Sequence, residues 1–355
     1  MKAEETYLSL VRAALWGKKA VWPVEQTEQL LLLNLQHGTG ALVFPCVLEQ
    51  DDLPSYARTQ MKSVCMTTMQ EHVRLQHTLA RAKKALEDAG IHPVLLKGAG
   101  LAALYPSPDR RQWGDIDLFV GKEQYHAAAK VMRDAFPNAL KFDEELEHYK
   151  HYNLTVDGVP IEVHRVSASF QHPLDDWRYE RFEKKGLATP EPEPTFNALF
   201  VFVHAWHHML TKGANVRQLC DLALLLHHYK KDIDRAYLKH MLKALNLLDV
   251  WQLCMWILVH SLGLPADESV CYNAKVANRA ERMLADLING VLCKKDGMLN
   301  EEYSNRFIRK WRTMQVRFAN AKRIEQYSPA YAKHMRMETL LHGASRLLAK
   351  DRHWE

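Results

Sequence analysis

Apolar residues recur at helical spacing from the start of the chain to about residue 90. Leu8, Val11 and Leu15 form one set and Leu30, Leu31 and Leu35 another, with Pro23 and Pro45 as breaks. Met61 to Asp88 is predicted as a long amphipathic helix whose apolar face carries Val64, Thr68, Val73, Leu75, Leu79, Ala82 and Leu86, ended by Gly90. The period then shortens. Ile91 to Leu96 reads as an apolar strand, Lys97-Gly98-Ala99-Gly100 as a tight turn into a short helix, and Asp115 to Val120 as a second strand after a polar loop. Lys122 to Ala135 reads as a helix closed by Phe136-Pro137, followed by a short strand at Ala139 to Phe142. HYNLTV and VPIEVHRV then alternate on either side of Asp157-Gly158, the preferred two-residue turn between antiparallel strands.

Lys184 to Pro194, KKGLATPEPEP, is predicted as an extended, solvated linker, because Pro and Glu alternate there. Beyond it every long segment reads as helix. The first opens with Thr195 as its cap, the second is VRQLCDLALLLHHY, and Tyr237–Leu248, Val250–Leu262, Asn273–Asn289, Glu302–Arg323 and Pro329–Ala349 form a bundle. The order predicts an α+β protein. Its parts are a helical segment at 1–90, an α/β core at 91–185 and a helical domain at 186–355, with no internal repeat.

Composition narrows the class. With 47% apolar residues in 355, the chain has ample material for a core. A net charge of +5 suits an anionic substrate but lacks the clustered excess of a dedicated nucleic-acid binder. Six scattered cysteines, none in a CxxC pair, read as reduced thiols. The acidic N-terminus is unlike a signal peptide, and no apolar run approaches the roughly 20 residues of a membrane span. The expectation is therefore a cytoplasmic protein with no membrane span.

Alternation along the second strand places Asp115, Asp117 and Phe119 on one face and Ile116, Leu118 and Val120 on the other. Two adjacent carboxylates repel unless they share a cation, and hard oxygens are the usual ligands of Mg²⁺. A solvated pair beside a turn is the simpler reading of such a triplet. The preceding Gly turn favours the metal, because it exposes backbone N–H groups at a helix start, where phosphate binds. On the second hairpin strand Glu162 and His164 share a face opposite Ile161 and Val163. Among the helices, His204 and His208 lie one turn apart with His207 beside them, and Arg217 and Asp221 repeat the spacing. Zinc would need further ligands than the two histidines, so bracing between helices is the first reading and the wall of a cleft the second. An apolar stripe of Phe307, Trp311, Met314 and Phe318 is flanked by Arg306, Arg309, Lys310, Arg312 and Arg317, a pattern read as a solvated helix face.

The order of strand, Gly turn, helix and Asp-x-Asp strand resembles the nucleotidyltransferase superfamily to which DNA polymerase β belongs. More closely, LLKGAGLAALYPSPDRRQWGDIDLFV resembles the bacterial family described as uncharacterised nucleotidyltransferase, with its KG, Tyr-Pro, Arg and DIDL, and a His-rich helix followed by Arg-x-x-x-Asp. The resemblance implies a small mixed β-sheet core that moves a nucleoside monophosphate from an NTP to an unidentified hydroxyl acceptor. It implies two Mg²⁺ ions on Asp115, Asp117 and Glu162, with Glu162 drawing the proton. Lys97 with Gly98, Ala99 and Gly100 would cradle the triphosphate, and Arg110 or Arg111 would neutralise departing pyrophosphate. His164, His204, His208 and Arg217 would contact substrate. The acidic run Asp143, Glu144, Glu145 and Glu147 competes with Glu162 but reads as a solvated helix start. Ala99 stands where the superfamily carries a hydroxyl, so the alternative is a nucleotide-binding or assembly module without catalysis. Nucleic acid is a third, less favoured partner for the basic C-terminal helices.

Overall fold

A computed structural model describes residues 2–112, 114–141, 150–170, 173–211, 213–290 and 306–348. Helices α1 (Ala3–Leu15), α2 (Thr27–Gln36), α3 (Gly40–Val43) and α4 (Ser55–Asp88) come first. Helix α4 starts at Ser55, earlier than its apolar period indicated, and Gly90 ends it at φ +75° while the Ile91 N–H donates to the Leu86 carbonyl. One expected inward residue is not inward. Val73 is two residues from buried Leu75, hence on the other side of the helix, and is exposed.

The middle of the chain gives β1 (Val94–Leu95), α5 (Ala99–Ala102), β2 (Ile116–Phe119), α6 (Gly121–Ala135), β3 (Leu140–Lys141), β4 (His151–Val156) and β5 (Val159–His164). They form one mixed sheet in the order β1-β2-β5-β4-β3, parallel only between β2 and β5. The hairpin turn sits where Asp157-Gly158 placed it, with φ +51° and +77°. Pro160 sits in central β5 but before Ile161, where pairing with β2 begins, so its missing N–H removes no bond from that ladder. Phe142 and the acidic run Asp143, Glu144, Glu145 and Glu147 lie outside the described residues.

Alternation decides what each face of the sheet meets. Ile116, Leu118, Ile161 and Val163 pack with Leu75, Leu79, Ala82 and Leu86 of α4 and with Tyr125, Ala128, Ala129 and Met132 of α6. The opposite face is left to Asp117 and Glu162.

The remaining helices are α7 (Pro173–Gly186), α8 (Pro194–Thr211), α9 (Val216–His228), α10 (Arg235–Ala244), α11 (Leu248–His260), α12 (Ala277–Ile288), α13 (Arg306–Glu325) and α14 (Pro329–Leu348). The architecture is α+β. A second apolar core joins α1, α2, α3 and the start of α4 to α8, α9 and α11, so burial runs across the chain positions 90 and 186. The segment read as a linker is a tight corner: Lys184 to Gly186 belong to α7, and a side chain at Gly186 would collide with Phe196 at 2.1 Å. Thr195 does not cap α8; Glu193 does, accepting from the N–H groups of Thr195 at 3.0 Å and Phe196 at 2.9 Å. In α13 Trp311 is exposed while Met314 and Phe318 are partly covered. No helix among the described residues is long and apolar enough to cross a membrane.

Glu183 of α7 is buried and accepts from the Ser167 N–H at 2.6 Å and from the Ser167 hydroxyl. Burial outweighs these bonds and pushes its carboxyl up to about 7. The folded protein thus keeps this proton to a higher pH than the unfolded chain, so stability from this site is full in acid and is lost as pH rises through about 7. Glu183→Gln is expected to flatten that part of the melting temperature against pH relative to the wild type, between about pH 5 and 8. An identical slope in the two proteins would contradict this assignment.

Candidate active site

Parallel pairing sets Asp117 opposite Glu162 and Phe119 opposite His164. Residues in register share a face, so two carboxylates from strands far apart in sequence meet above the sheet, and Asp115 joins them from the residue before β2. One oxygen from each of Asp115, Asp117 and Glu162 lies within 4.8 Å of the others. The side chain of Asp117 is wholly buried, whereas Asp115 is 39% exposed.

Two cations hold this cluster together. Lys97, at the end of the segment leading from β1, places Nζ 3.0 Å from Asp117 Oδ1 and 3.3 Å from Asp115 Oδ2. His164 Nε2 lies 2.9 Å from Asp117 Oδ1 and 3.1 Å from Glu162 Oε2, and its Nδ1 lies 3.3 Å from the Val166 carbonyl. Both ring nitrogens face acceptors only, so both carry protons and the ring is an imidazolium. Burial works against the charge on His164, but its bonds to Asp117 and Glu162 prevail and raise its pKa. Burial likewise opposes the Lys97 ammonium, and Asp117, Asp115 and Glu162 outweigh it. Glu162 would be raised by burial but is held well below the carboxylate range by His164 and Lys97, and Asp117 is lowered by Lys97 and His164 against burial. Asp115 differs. Its carboxyl is raised, first by the neighbouring Asp117 and then by burial.

Three carboxylates face two cations, and Asp117 Oδ2 is buried with no hydrogen-bond partner. An orphaned buried carboxylate oxygen beside two further hard-oxygen donors is what a divalent magnesium-type cation requires. These residues fit such an ion. His151 adds a ring nitrogen 3.9 Å from Glu162 Oε2, from a position on β4 that the sequence reading did not single out.

The turn after Lys97 depends on glycine. Gly98 adopts φ +48°, ψ −106°, outside the regions open to other residues. Lys97 and Gly98 line a cleft between the sheet and the helices α8 and α9. Ala99 and Gly100 do not: the Ala99 side chain joins the apolar core under the sheet, and the Gly100 N–H already donates to the Lys97 carbonyl at 2.9 Å.

Helices α8 and α9 supply the facing wall through His204, His208, Asn215, Arg217, Gln218 and Asp221. The rings of His204 and His208 lie 4.4 Å apart. Burial, then Lys97 and His208, push His204 well below the ordinary histidine value, and burial pushes His207 down to about 3. Both are neutral imidazoles at pH 7. Asn215 caps α9 through a reciprocal pair with Gln218, each bond 3.2 Å; the Asn-x-x-Gln spacing before an apolar run was the available sign of it.

Arg111 lines the same cleft, but Asp221 grips it from 110 positions away. Arg111 Nε donates to Asp221 Oδ1 and Nη2 to Oδ2, both at 2.7 Å, and the Tyr105 hydroxyl donates to Oδ1 at 2.7 Å. Only Nη1 of this buried guanidinium has no partner. Asp221 therefore pairs with Arg111 rather than with Arg217, its neighbour one turn away. Arg217 donates from Nη1 to the Gln112 carbonyl, while its Nε is buried without a partner. Burial and the nearby Arg111 lower the pKa of Arg217. Arg110 is exposed and does not line the cleft; its charge acts on Cys46 and Cys65. The cleft thus has Asp115 and Lys97 on its sheet side, with Arg111 and Arg217 also in its lining; Asp117 and Glu162 adjoin Asp115 without lining it.

No curated protein and no solved structure matches the chain. The turn, the Asp-x-Asp strand and the wall built by α8 and α9 all fall within residues 24–263, which match the model of a single family covering more than half of the chain, and the protein belongs to that family, the uncharacterised nucleotidyltransferases.

Proposed function

We propose that the protein moves a nucleoside monophosphate from an NTP to a hydroxyl group, with the triphosphate in the cleft between the sheet and α8–α9. The observation that carries this reading is the buried, unpartnered Asp117 Oδ2 beside Asp115 and Glu162, next to a cleft lined by Asp115, Lys97 and Arg111. Asp115, Asp117 and Glu162 would hold Mg²⁺, which when bound neutralises phosphate charge and activates the acceptor hydroxyl. Lys97 and the Gly98 backbone take the polyphosphate on the sheet side, and Arg111 offsets the charge that builds on pyrophosphate. The acceptor oxygen forms a bond to the α-phosphorus as the bond from that phosphorus to the bridging oxygen breaks, and pyrophosphate leaves with the electron pair. The hydroxyl proton passes to a carboxylate of the cluster. His164 keeps Asp117 and Glu162 ionised and fixes their orientation.

One observation favours a second reading, a nucleotide-binding module without turnover. Lys97 Nζ already sits against both aspartates as their counter-ion, and must yield part of that position to a metal. Isothermal titration with Mg-ATP and Mg-CTP followed by an assay for pyrophosphate separates the two. Transfer predicts binding together with metal-dependent release of pyrophosphate. Binding without release supports the module, and no binding of either nucleotide overturns both readings.

A further inference from the structure

A second cleft meets the first at Gly114 and Arg217, which line both. It is bounded by Glu71 and Arg74 of α4, by Gln112 and by Gly158 of the β4–β5 turn, so it lies off the N-terminal ends of β2 and β5. Gly114 precedes Asp115 directly. Among the described residues other than its chain neighbours, a Cβ built on it would meet nothing within 4 Å, and it lines both clefts beside Asp115.

The charges in this second cleft are unbalanced. Arg74 lies against the hairpin turn, Nη1 3.9 Å from where a Gly158 side chain would start, and it makes no hydrogen bond or ion pair among the described residues. Arg217 also lines the cleft, with Nη1 donating to the Gln112 carbonyl. Glu71 is the one anion set against these two cations. A group transfer between two molecules needs two pockets that meet at the reacting atoms, and the first cleft already has the donors for a triphosphate.

Building on the reading above, we infer that the second cleft is the acceptor site and that the acceptor is a small hydroxylated molecule bearing an oxyanion, a phosphate or a carboxylate, held by Arg74 and Arg217 with its hydroxyl reaching past Gly114 to Asp115. The acceptor hydroxyl oxygen replaces pyrophosphate on the α-phosphorus and loses its proton to the carboxylate cluster, so no further reactant is needed. Guanidinium bonds to an oxyanion contribute a tenfold or larger share of affinity, about what one charge-assisted hydrogen bond supplies.

The test titrates the full-length protein, saturated with Mg²⁺ and a nonhydrolysable ATP analogue, with glycerol 3-phosphate, glycerate and glycerol. One or both of the anionic probes bind and glycerol does not, and which of them binds more tightly distinguishes phosphate from carboxylate. Arg74→Glu weakens the anionic probe about tenfold or more while the affinity for the analogue stays within about twofold. Gly114→Leu, which adds bulk where the two clefts meet, also weakens the probe. The inference is overturned if glycerol binds as well as the anions, if neither anion binds, or if Arg74→Glu leaves probe affinity unchanged. Failure of the analogue itself to bind would sink the donor reading alone. Glycerol 3-phosphate titrated into the analogue-free protein, wild type against Arg74→Glu, then decides the anion site by the same criterion.

Discussion

Asp117→Asn is expected to reduce nucleotide transfer at least about 100-fold, the scale on which removing one preorganised electrostatic partner acts. The asparagine fills the same volume and can still meet Lys97 and His164, but it removes the charge that both cations share and replaces the unpartnered Oδ2 with a weaker ligand or a donor. Stability falls as well, because Lys97 and His164 stay buried with one carboxylate fewer. The diagnostic is the disproportion between the two effects. A steady-state pyrophosphate assay beside a thermal melt measures both, and a variant that is folded and fully active would remove Asp117 from the chemistry. Asp115→Asn should cost less stability for a similar loss of transfer, since Asp115 is partly exposed and pairs only with Lys97 among the described residues.

Asp221→Ala should have the largest effect on the fold. It strands the Arg111 guanidinium, which is 5% exposed, and removes the acceptor of the Tyr105 hydroxyl. Breaking one partner of a buried ion pair costs about 3–5 kcal/mol, a large part of the stability of an ordinary domain. Replacing both partners, as in Arg111→Met with Asp221→Leu, should recover much of that loss, because the uncompensated charge is gone. The double variant should still bind the triphosphate more weakly, since Arg111 Nη1 is lost from the cleft. Chemical denaturation of Arg111→Met, Asp221→Leu and the double variant measures the coupling. Additive losses would mean that the pair is not the clamp between the β2 segment and α9.

Local signals were legible and distant pairings were not. Alternation around Ile116 and Leu118 placed Asp115 and Asp117 on one face, and Asp-Gly fixed the hairpin that carries Glu162, because both depend on a few neighbouring residues. That β5 would lie parallel to β2 with Glu162 opposite Asp117 is a property of the sheet order and has no trace in either strand alone. Arg111 illustrates the same limit. Its position in the chain suggested a free cation for pyrophosphate, whereas its two best donors are taken by a residue on a helix more than a hundred positions later. KKGLATPEPEP shows a different limit, since Ala188 to Glu191 are exposed as a linker would be while Lys184 to Gly186 continue α7. Its Pro and Glu composition is typical of solvated chain, but Gly186 gives Phe196 room to approach and the Glu193 carboxylate is used as a helix cap. The His204 and His208 pair was visible from its spacing, yet only burial and the nearby Lys97 and His208 explain why the His204 ring is neutral.

The proposed chemistry depends on a divalent cation joining Asp115, Asp117 and Glu162 while Lys97 gives way to it. A crystal structure grown with Mn²⁺ and a nonhydrolysable NTP analogue tests this most directly, because manganese is located by its anomalous scattering. The expected result is metal bounded by the three carboxylates, with the triphosphate reaching Gly98 and Arg111. Finding the nucleotide bound with Lys97 still seated against both aspartates and no metal among them would contradict the account.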